Sequence, residues 1–335
     1  MSSVILDVGQ AIQLGMAVLA RHRTNEQNAA SVIDALISGE LDGQSGHGLS
    51  RLPSYAAQAA SGKVDGNALP TATWVTQAMV RVDAANGFAY PALSLAIDAM
   101  AERGPQSGIV MAAIHRSHHC GMAGYHVERL AKRGMVGLMF ANSPVAMAPW
   151  GGNKPLLGTN PIAFAAPRRN GEPLVIDLSL SKVARGKIMV AARNDKPIPE
   201  GWALNAAGQP TTDPKAALEG SMVPMGDAKG AALALMVEIL AAAVPGAALA
   251  FEASSFFTAD GPPSGVGQLL IGFYPGPLSG DAFPERLETL LSAITGQPGT
   301  RLPGDRRLAL RAQTREQGIS LPDSLFRELT DLAQA

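Results

Sequence analysis

The sequence predicts a mixed α/β fold, with a helical unit drawn from both chain ends and a sheet unit between them. Apolar residues recur at helical spacing near both termini, short β-type runs fill the middle, and Gly- and Pro-rich turns separate those runs. In order, residues 7–22 and 25–41 read as helices, the second opened by Thr24 with Gln27 three residues later in capping-box arrangement. The stretch WVTQAMVRVD, from 74, alternates in part like a strand. AYPALSLAIDAMAERG, 89–104, reads as a helix closed by Gly104, and GIVMAAI, 108–114, is again β-type. Further β-type runs follow at 135–141, 162–166, 174–178 and 268–274. Helix returns at 283–295 and at 320–333, the latter with Ser320 and Pro322 as start signals. Residues 1–70 together with 280–335 are thus expected to form the helical unit, and residues 71–279 the sheet unit.

A chain of 335 residues exceeds what one hydrophobic core usually supports, so a cavity between units is expected. The composition is 47% hydrophobic and 16% charged, with a formal net charge of −1 and no long Lys or Arg run. Neither nucleic acid nor an acidic membrane surface is therefore an expected partner, and small-molecule chemistry is. The single cysteine, Cys120, allows no intrachain disulfide and points to a cytoplasmic protein. The opening MSSVILDVGQ lacks a basic region and carries Asp7 and Gln10, unlike a signal peptide. The apolar run AALALMVEILAAAV, 231–244, is too short to span a bilayer, contains Glu238 and stops at Pro245, which reads as a buried core helix.

No GxGxxG follows a β-type run and no GxxxxGK[ST] exists, so a phosphate cradle here must differ from both common forms. The long turns 143–161 and 194–214 are expected to carry binding residues. Four of the six histidines fall in HRSHHCGMAGYH, 115–126. With no acidic residue between His115 and His118 and no second thiolate, no metal site is expected; the imidazoles and amides of a strand-to-helix turn would instead meet an anionic ligand. In SGHGLSRLPSY, 45–55, Gly46 and Gly48 would let a ligand approach His47 closely. Helix is expected just after, with Ser50 as N-cap and Pro53 in the first turn. Arg51 and Tyr55 then stand one turn apart, Arg51 offering a bidentate grip on a carboxylate beside a group that titrates near neutral pH. A plain surface turn with a solvated arginine accounts for the same spacing.

The strings GHGLSRLPSY, SHHCGMAGY, GGNKPLLGTNPIAFAAP, VIDLSLSKVARGKI, IPEGWALNAAGQPTTDP and GDAKGAALALMVEILA resemble, in order and over nearly the whole chain, the malate/L-lactate dehydrogenase-like family of NAD(P)-dependent oxidoreductases. Within it the chain is most similar to the Δ1-piperideine-2-carboxylate/Δ1-pyrroline-2-carboxylate reductases, through His118-His119, GQLLI and RLPGDRR at 301–307. The resemblance implies a non-Rossmann cofactor fold with a large, predominantly antiparallel sheet, in a homodimer. It implies that His47 is the general acid and that Arg51 and Thr159 contact substrate; Tyr55, one turn from Arg51, is expected toward substrate as well. The implied cofactor positions are His119, Cys120, Gly121, Met122, Ala123, Asp177, Leu178, Ser179, Lys229, Arg301, Leu302, Pro303, Gly304, Asp305, Arg306 and Arg307. Three arginines in 301–307 favour NADPH over NADH through its 2′-phosphate.

The implied reaction is reduction of Δ1-pyrroline-2-carboxylate or Δ1-piperideine-2-carboxylate to L-proline or L-pipecolate, with hydride to C2 and a proton managed by His47. A 2-hydroxy-acid dehydrogenase of malate, lactate, ureidoglycolate or sulfolactate type is the alternative, and a non-catalytic NADPH- or metal-binding protein a further one. Two departures from the family pattern bear on the groups that support His47, and the second also on the choice of substrate. Gly46 stands where Ser usually precedes the histidine, with Ser45 one place further away, and Lys187 stands where the imine reductases carry an Asp. A nearby lysine would lower the histidine's pKa; Ser45 and Asp177 are both candidates to support it.

Overall fold

Asp7 and Gln10 form a reciprocal capping box, each side chain bonding the other's amide at 3.0 and 2.8 Å. That box launches the first helix of the computed structural model, which describes residues 2–334. β1 (Ser3–Leu6) precedes α1 (Val8–Arg21), α2 (Glu26–Leu41) and α3 (Leu52–Ser61). The cap of α2 is Asn25, which accepts from the Asn28 amide at 2.8 Å, rather than Thr24, whose hydroxyl turns back to the His22 carbonyl. A hairpin of β2 (Thr71–Trp74) and β3 (Met79–Asp83) occupies the stretch that reads as one strand. α4 (Ala89–Ser107) runs three residues beyond Gly104 and stops where Gly108 adopts φ 73°. Gly104 is needed for packing: a Cβ there would meet the Tyr274 ring at 2.7 Å.

β4 (Ile109–Ser117), α5 (Ala123–Ala131), β5 (Val136–Ala141), β6 (Ile162–Ala166) and β7 (Leu174–Leu178) follow. α6 (Arg185–Arg193), β8 (Ala203–Leu204), β9 (Pro210–Thr211), α7 (Pro214–Glu219) and β10 (Ser221–Met222) make a small annex with its own three-stranded sheet. α8 (Ala228–Glu238) leads through a π turn and an irregular stretch to β11 (Val266–Phe273), α9 (Pro275–Ser279), α10 (Phe283–Thr295), α11 (Asp305–Gln317), β12 (Ile319–Pro322) and α12 (Asp323–Gln334). Ser320 and Pro322, expected to start the last helix, lie instead in β12, which pairs antiparallel with β1. That pairing brings the two chain ends together, and one apolar cluster combines Leu36, Leu52 and Tyr55 with Ile319, Leu321 and Leu329.

The main sheet has seven strands in the order β2-β3-β4-β11-β5-β6-β7. Only β3 and β4 run parallel, joined through α4; every other neighbouring pair is antiparallel. This is the large, predominantly antiparallel sheet that the resemblance implies. The central strand is apolar on both sides because both faces are covered: Leu270 enters a core with α4 and α5, while Leu269 joins a second core with the annex and α8. α8 is not the buried core helix that its composition suggests. Ala231, Ala234 and Val237 face inward, but Leu233, Leu235, Met236 and, in the following turn, Ile239 are exposed. Among the described residues, no helix is long and apolar enough to cross a membrane.

Candidate active site

His47 is set in place by the end of α2. Ser45–His47 and Leu49–Arg51 form two consecutive 3-10 turns laid across that helix. Contact is close enough that a Cβ on Gly39 would stand 2.7 Å from the His47 carbonyl oxygen, and one on Gly48 2.1 Å from the Glu40 carboxylate. Gly48 is therefore demanded by packing, whereas Gly46 has open space around it. Ser50 does not cap α3; its hydroxyl donates to the Ser45 carbonyl at 2.5 Å, and Arg51 occupies the cap position, with Pro53 in the first turn.

Glu40 lies buried under this loop, accepting from the Leu49 amide at 2.7 Å. Burial pushes its carboxyl up to about 7, against a smaller opposing effect of the Leu49 bond. From about pH 4.5 to 7 the unfolded chain releases this proton while the folded chain keeps it, so stability falls with rising pH across that window and is flat above it. Glu40→Gln keeps the acceptor without the charge. Its stability advantage over the parent should be absent near pH 4 and reach about 1–3 kcal/mol at pH 8 by urea unfolding; an equal difference at both pH values would contradict the assignment.

Around His47 stands a buried aromatic and imidazole cluster. His119 stacks on it at a ring-centroid distance of 5.5 Å. His119 Nδ1 meets the Tyr55 hydroxyl at 2.6 Å, and Tyr55 meets the Tyr90 hydroxyl at 3.0 Å. Tyr55, expected toward substrate, is fully buried and supports His119 instead. His118 Nε2 bonds Gln58 Oε1 at 3.0 Å, and Phe256 packs on both His118 and His119 at 5.1 Å. Gly121, at φ 67°, lets the turn pass Tyr90, whose hydroxyl would be 2.7 Å from any Cβ there. His126 Nε2 meets the Cys120 carbonyl at 2.8 Å. Burial pushes the Cys120 thiol up to about 12, which makes it inert. Among the described residues, no group of three His, Cys, Asp or Glu side chains is arranged to hold a metal ion.

Burial, and secondarily the Arg51 charge, lower His47 to about 4, so the ligand-free ring is neutral at pH 7. This corrects one expectation: the cation acting on the ring is Arg51 rather than Lys187. Lys187 is exposed on α6. The Ser45 side chain is exposed and forms no bond with His47, whose Nδ1 is shielded from solvent without a partner. Asp177 is committed elsewhere, accepting from the Gly124 amide at 2.8 Å. Arg51 is fixed at its inner end, where Nε donates to the Gly46 carbonyl at 2.7 Å, and by the Phe257 ring 4.9 Å from its guanidinium carbon. Its terminal nitrogens are left for an anion. Thr159 faces Ser143, hydroxyl to hydroxyl at 3.4 Å, with no hydrogen bond to Arg51 or His47.

A cleft of about 490 Å³ gathers seven of the positions expected to hold cofactor: Met122, Asp177, Leu178, Pro303, Gly304, Arg306 and Arg307. Ala123 opens α5 beside it, and Leu302 is buried with its amide donating to Asp305 at 2.8 Å. Ser179 bonds Ser181, while Arg301 and Lys229 are exposed and do not line the cleft. Arg307 is not a free loop arginine. It lies in the first turn of α11, and its Nη1 pairs with Asp42 at 3.0 Å and Glu128 at 2.5 Å. Arg311, one turn on, bonds the same two carboxylates at 2.6 and 2.7 Å. Asp42 stands at the C-terminus of α2, where a negative charge opposes the helix dipole, so these guanidinium groups offset that cost as well. Burial raises the Glu128 carboxyl, but Arg311 and Arg307 outweigh it and hold the group well below its usual range. Arg307 Nη2 is buried at the cleft with no partner, a donor suited to an anionic ligand.

Sequence reasoning missed Glu40, Gln58, Lys63, Tyr90, Phe256, Phe257, Asp42, Glu128 and Arg311. Only Phe256-Phe257, two aromatics inside a polar stretch, carries a local signal.

The malate/L-lactate dehydrogenase family model matches residues 6–330. The (2R)-3-sulfolactate dehydrogenase (NADP(+)) of Chromohalobacter salexigens is 50% identical over 327 residues, covering 98% of this chain and 97% of that protein. The Δ1-pyrroline-2-carboxylate/Δ1-piperideine-2-carboxylate reductase of Pseudomonas putida is 40% identical, covering 94% and 93%. The crystal structure of Δ1-piperideine-2-carboxylate reductase from Pseudomonas syringae superposes with a TM-score of 0.93 at 39% identity, over 98% of this chain and 99% of that one.

Proposed function

The chain belongs to the malate/L-lactate dehydrogenase family, and from that premise we propose that it oxidises a short 2-hydroxy acid carrying a second anionic group, of the 3-sulfolactate type, with NADP+ as hydride acceptor. The observation that carries this reading is the placement of His47, stacked on His119, beside an Arg51 whose Nε is held by the Gly46 carbonyl and whose terminal nitrogens make no bond among the described residues, with burial lowering the imidazole's pKa. A 2-hydroxy acid loses hydride from C2 and a proton from its hydroxyl, and the proton needs a base. The neutral imidazole of His47 is that acceptor. Arg51 grips the carboxylate, and the substrate's own negative charge then stabilises the imidazolium as it forms. In the reverse direction the same imidazolium returns the proton to the carbonyl oxygen.

The cofactor's nicotinamide, when bound, supplies the site that exchanges hydride with C2. Met122, Asp177, Leu178, Pro303 and Gly304 would wall it, and Arg306 with the unpaired Nη2 of Arg307 would take its phosphates. The higher identity to the sulfolactate enzyme, together with Lys187 in place of the imine reductases' Asp, supports a hydroxy acid over a cyclic imine. Cyclic ketimine reduction is the second reading, supported by the close superposition on piperideine-2-carboxylate reductase; it needs His47 to enter the reaction protonated.

The test is a substrate panel followed at the NADPH absorbance. NADP+ with 3-sulfolactate, malate and L-lactate should give turnover, fastest with sulfolactate, and NAD+ should be the poorer acceptor. Turnover confined to NADPH with Δ1-pyrroline-2-carboxylate or Δ1-piperideine-2-carboxylate would replace this reading with the second one.

A further inference from the structure

The segment Ser255–Asp260 has no regular secondary structure, yet α3 and the turn after it hold nearly all of its carbonyls. The Lys63 ammonium donates to the carbonyls of Ser255 at 2.7 Å, Thr258 at 2.9 Å and Asp260 at 2.9 Å, which uses all three of its N–H groups. Gln58 takes the Phe256 carbonyl at 2.9 Å and Ser61 the Ala259 carbonyl at 3.0 Å. Lys63 is itself only 3% exposed, an expensive place for an ammonium unless its oxygens are fixed around it.

What this anchoring presents is two aromatic rings on opposite duties. Phe256 is buried on His118 and His119, and Phe257 is 44% exposed with Arg51 over its face. A guanidinium held at Nε by Gly46 can still swing its two terminal nitrogens; the Phe257 face removes that freedom and sets their plane. We propose that Lys63 is a positioning residue that, by holding three carbonyls of the 255–260 segment, keeps Phe257 against Arg51 and so orients the grip on the substrate anion. The inference rests on the reading above only in taking Arg51 as that grip.

The test compares kcat and KM for 3-sulfolactate and for NADP+ in the parent, Lys63→Met and Phe257→Leu. Both variants should raise KM for the acid at least about tenfold, the size of one mispositioned charge-assisted bond, with KM for NADP+ within about twofold. Their double variant should be no worse than the weaker single, because the two act along one path. In Lys63→Ala, added propylammonium should restore KM for the acid, and it should do nothing for Phe257→Leu. An unchanged acid KM in Phe257→Leu, or equal losses for acid and NADP+, would overturn the proposal. Should Lys63→Met fail to fold, Lys63→Ala with and without propylammonium takes its place beside Phe257→Leu, and an acid KM that the amine leaves unchanged overturns the proposal. If the parent turns over only imines, the same variants are read with Δ1-piperideine-2-carboxylate and NADPH. A wrong substrate class thus shows in the parent, and a wrong inference in the variants.

Discussion

Replacing His47 with Asn should lower kcat for hydroxy-acid oxidation by about 10²- to 10⁴-fold, the usual contribution of a positioned general base, without loss of folding. The side chain is half-buried and its Nδ1 makes no hydrogen bond, so little of the loop depends on it. The loop is held instead by backbone packing on Gly39 and by Glu40 at the Leu49 amide. Asn preserves a polar acceptor of similar reach but cannot take a full proton at any working pH. Steady-state kinetics with a parallel thermal melt checks this. Full turnover in a normally folded His47→Asn protein would remove His47 from the reaction.

The second large effect is on stability. Arg311→Met should destabilise the protein by about 3 kcal/mol, because it leaves buried Asp42 with only the Nη1 of Arg307, which Glu128 shares, and Glu128 with that nitrogen and the half-exposed Lys132. The Asp42 and Glu128 side chains are 0% and 6% exposed, so water cannot replace the missing guanidinium. α2, α5 and α11 meet at this cluster beside the cleft proposed for the cofactor, and weaker NADP+ binding should accompany the loss. Chemical denaturation and a cofactor titration of the variant measure the two together; a change under about 0.5 kcal/mol, the range of an ordinary surface substitution, would mean that the pairs are solvated.

How much of this was legible follows from how far each feature reaches along the chain. β6 and β7 were readable to the residue, since a strand buried on one edge announces itself by local apolarity and flanking turns. α10 was equally plain, with Pro284 in its first turn. β12 was not, because Ser320 and Pro322 signal a helix start and only pairing with β1, more than 300 residues away, makes them a strand. Thr24 lost the cap to Asn25 by one residue, within the ordinary slack of such boundaries. At the site, His47 and Arg51 were visible because two glycines and a turn place them close in sequence. The Lys63 anchor and the Arg311 cluster were invisible: their partners lie 192 to 197 and 183 to 269 residues away. The neutral state of His47 was also out of reach in full, since it arises mainly from burial that only the folded cluster creates.

The central claim, that a neutral His47 takes the hydroxyl proton, is tested most directly by the pH dependence of kcat/KM for 2-hydroxy-acid oxidation at saturating NADP+. The acid limb of that profile reports the base in the enzyme before the acid binds. The account predicts a rate that stays level from pH 7 downward past 6.5 and falls only toward about 4, with the limb lost in His47→Asn. A limb at 6.5 or above, or a rate that rises as the pH falls, would mean that His47 titrates as an ordinary histidine or reacts in its protonated form.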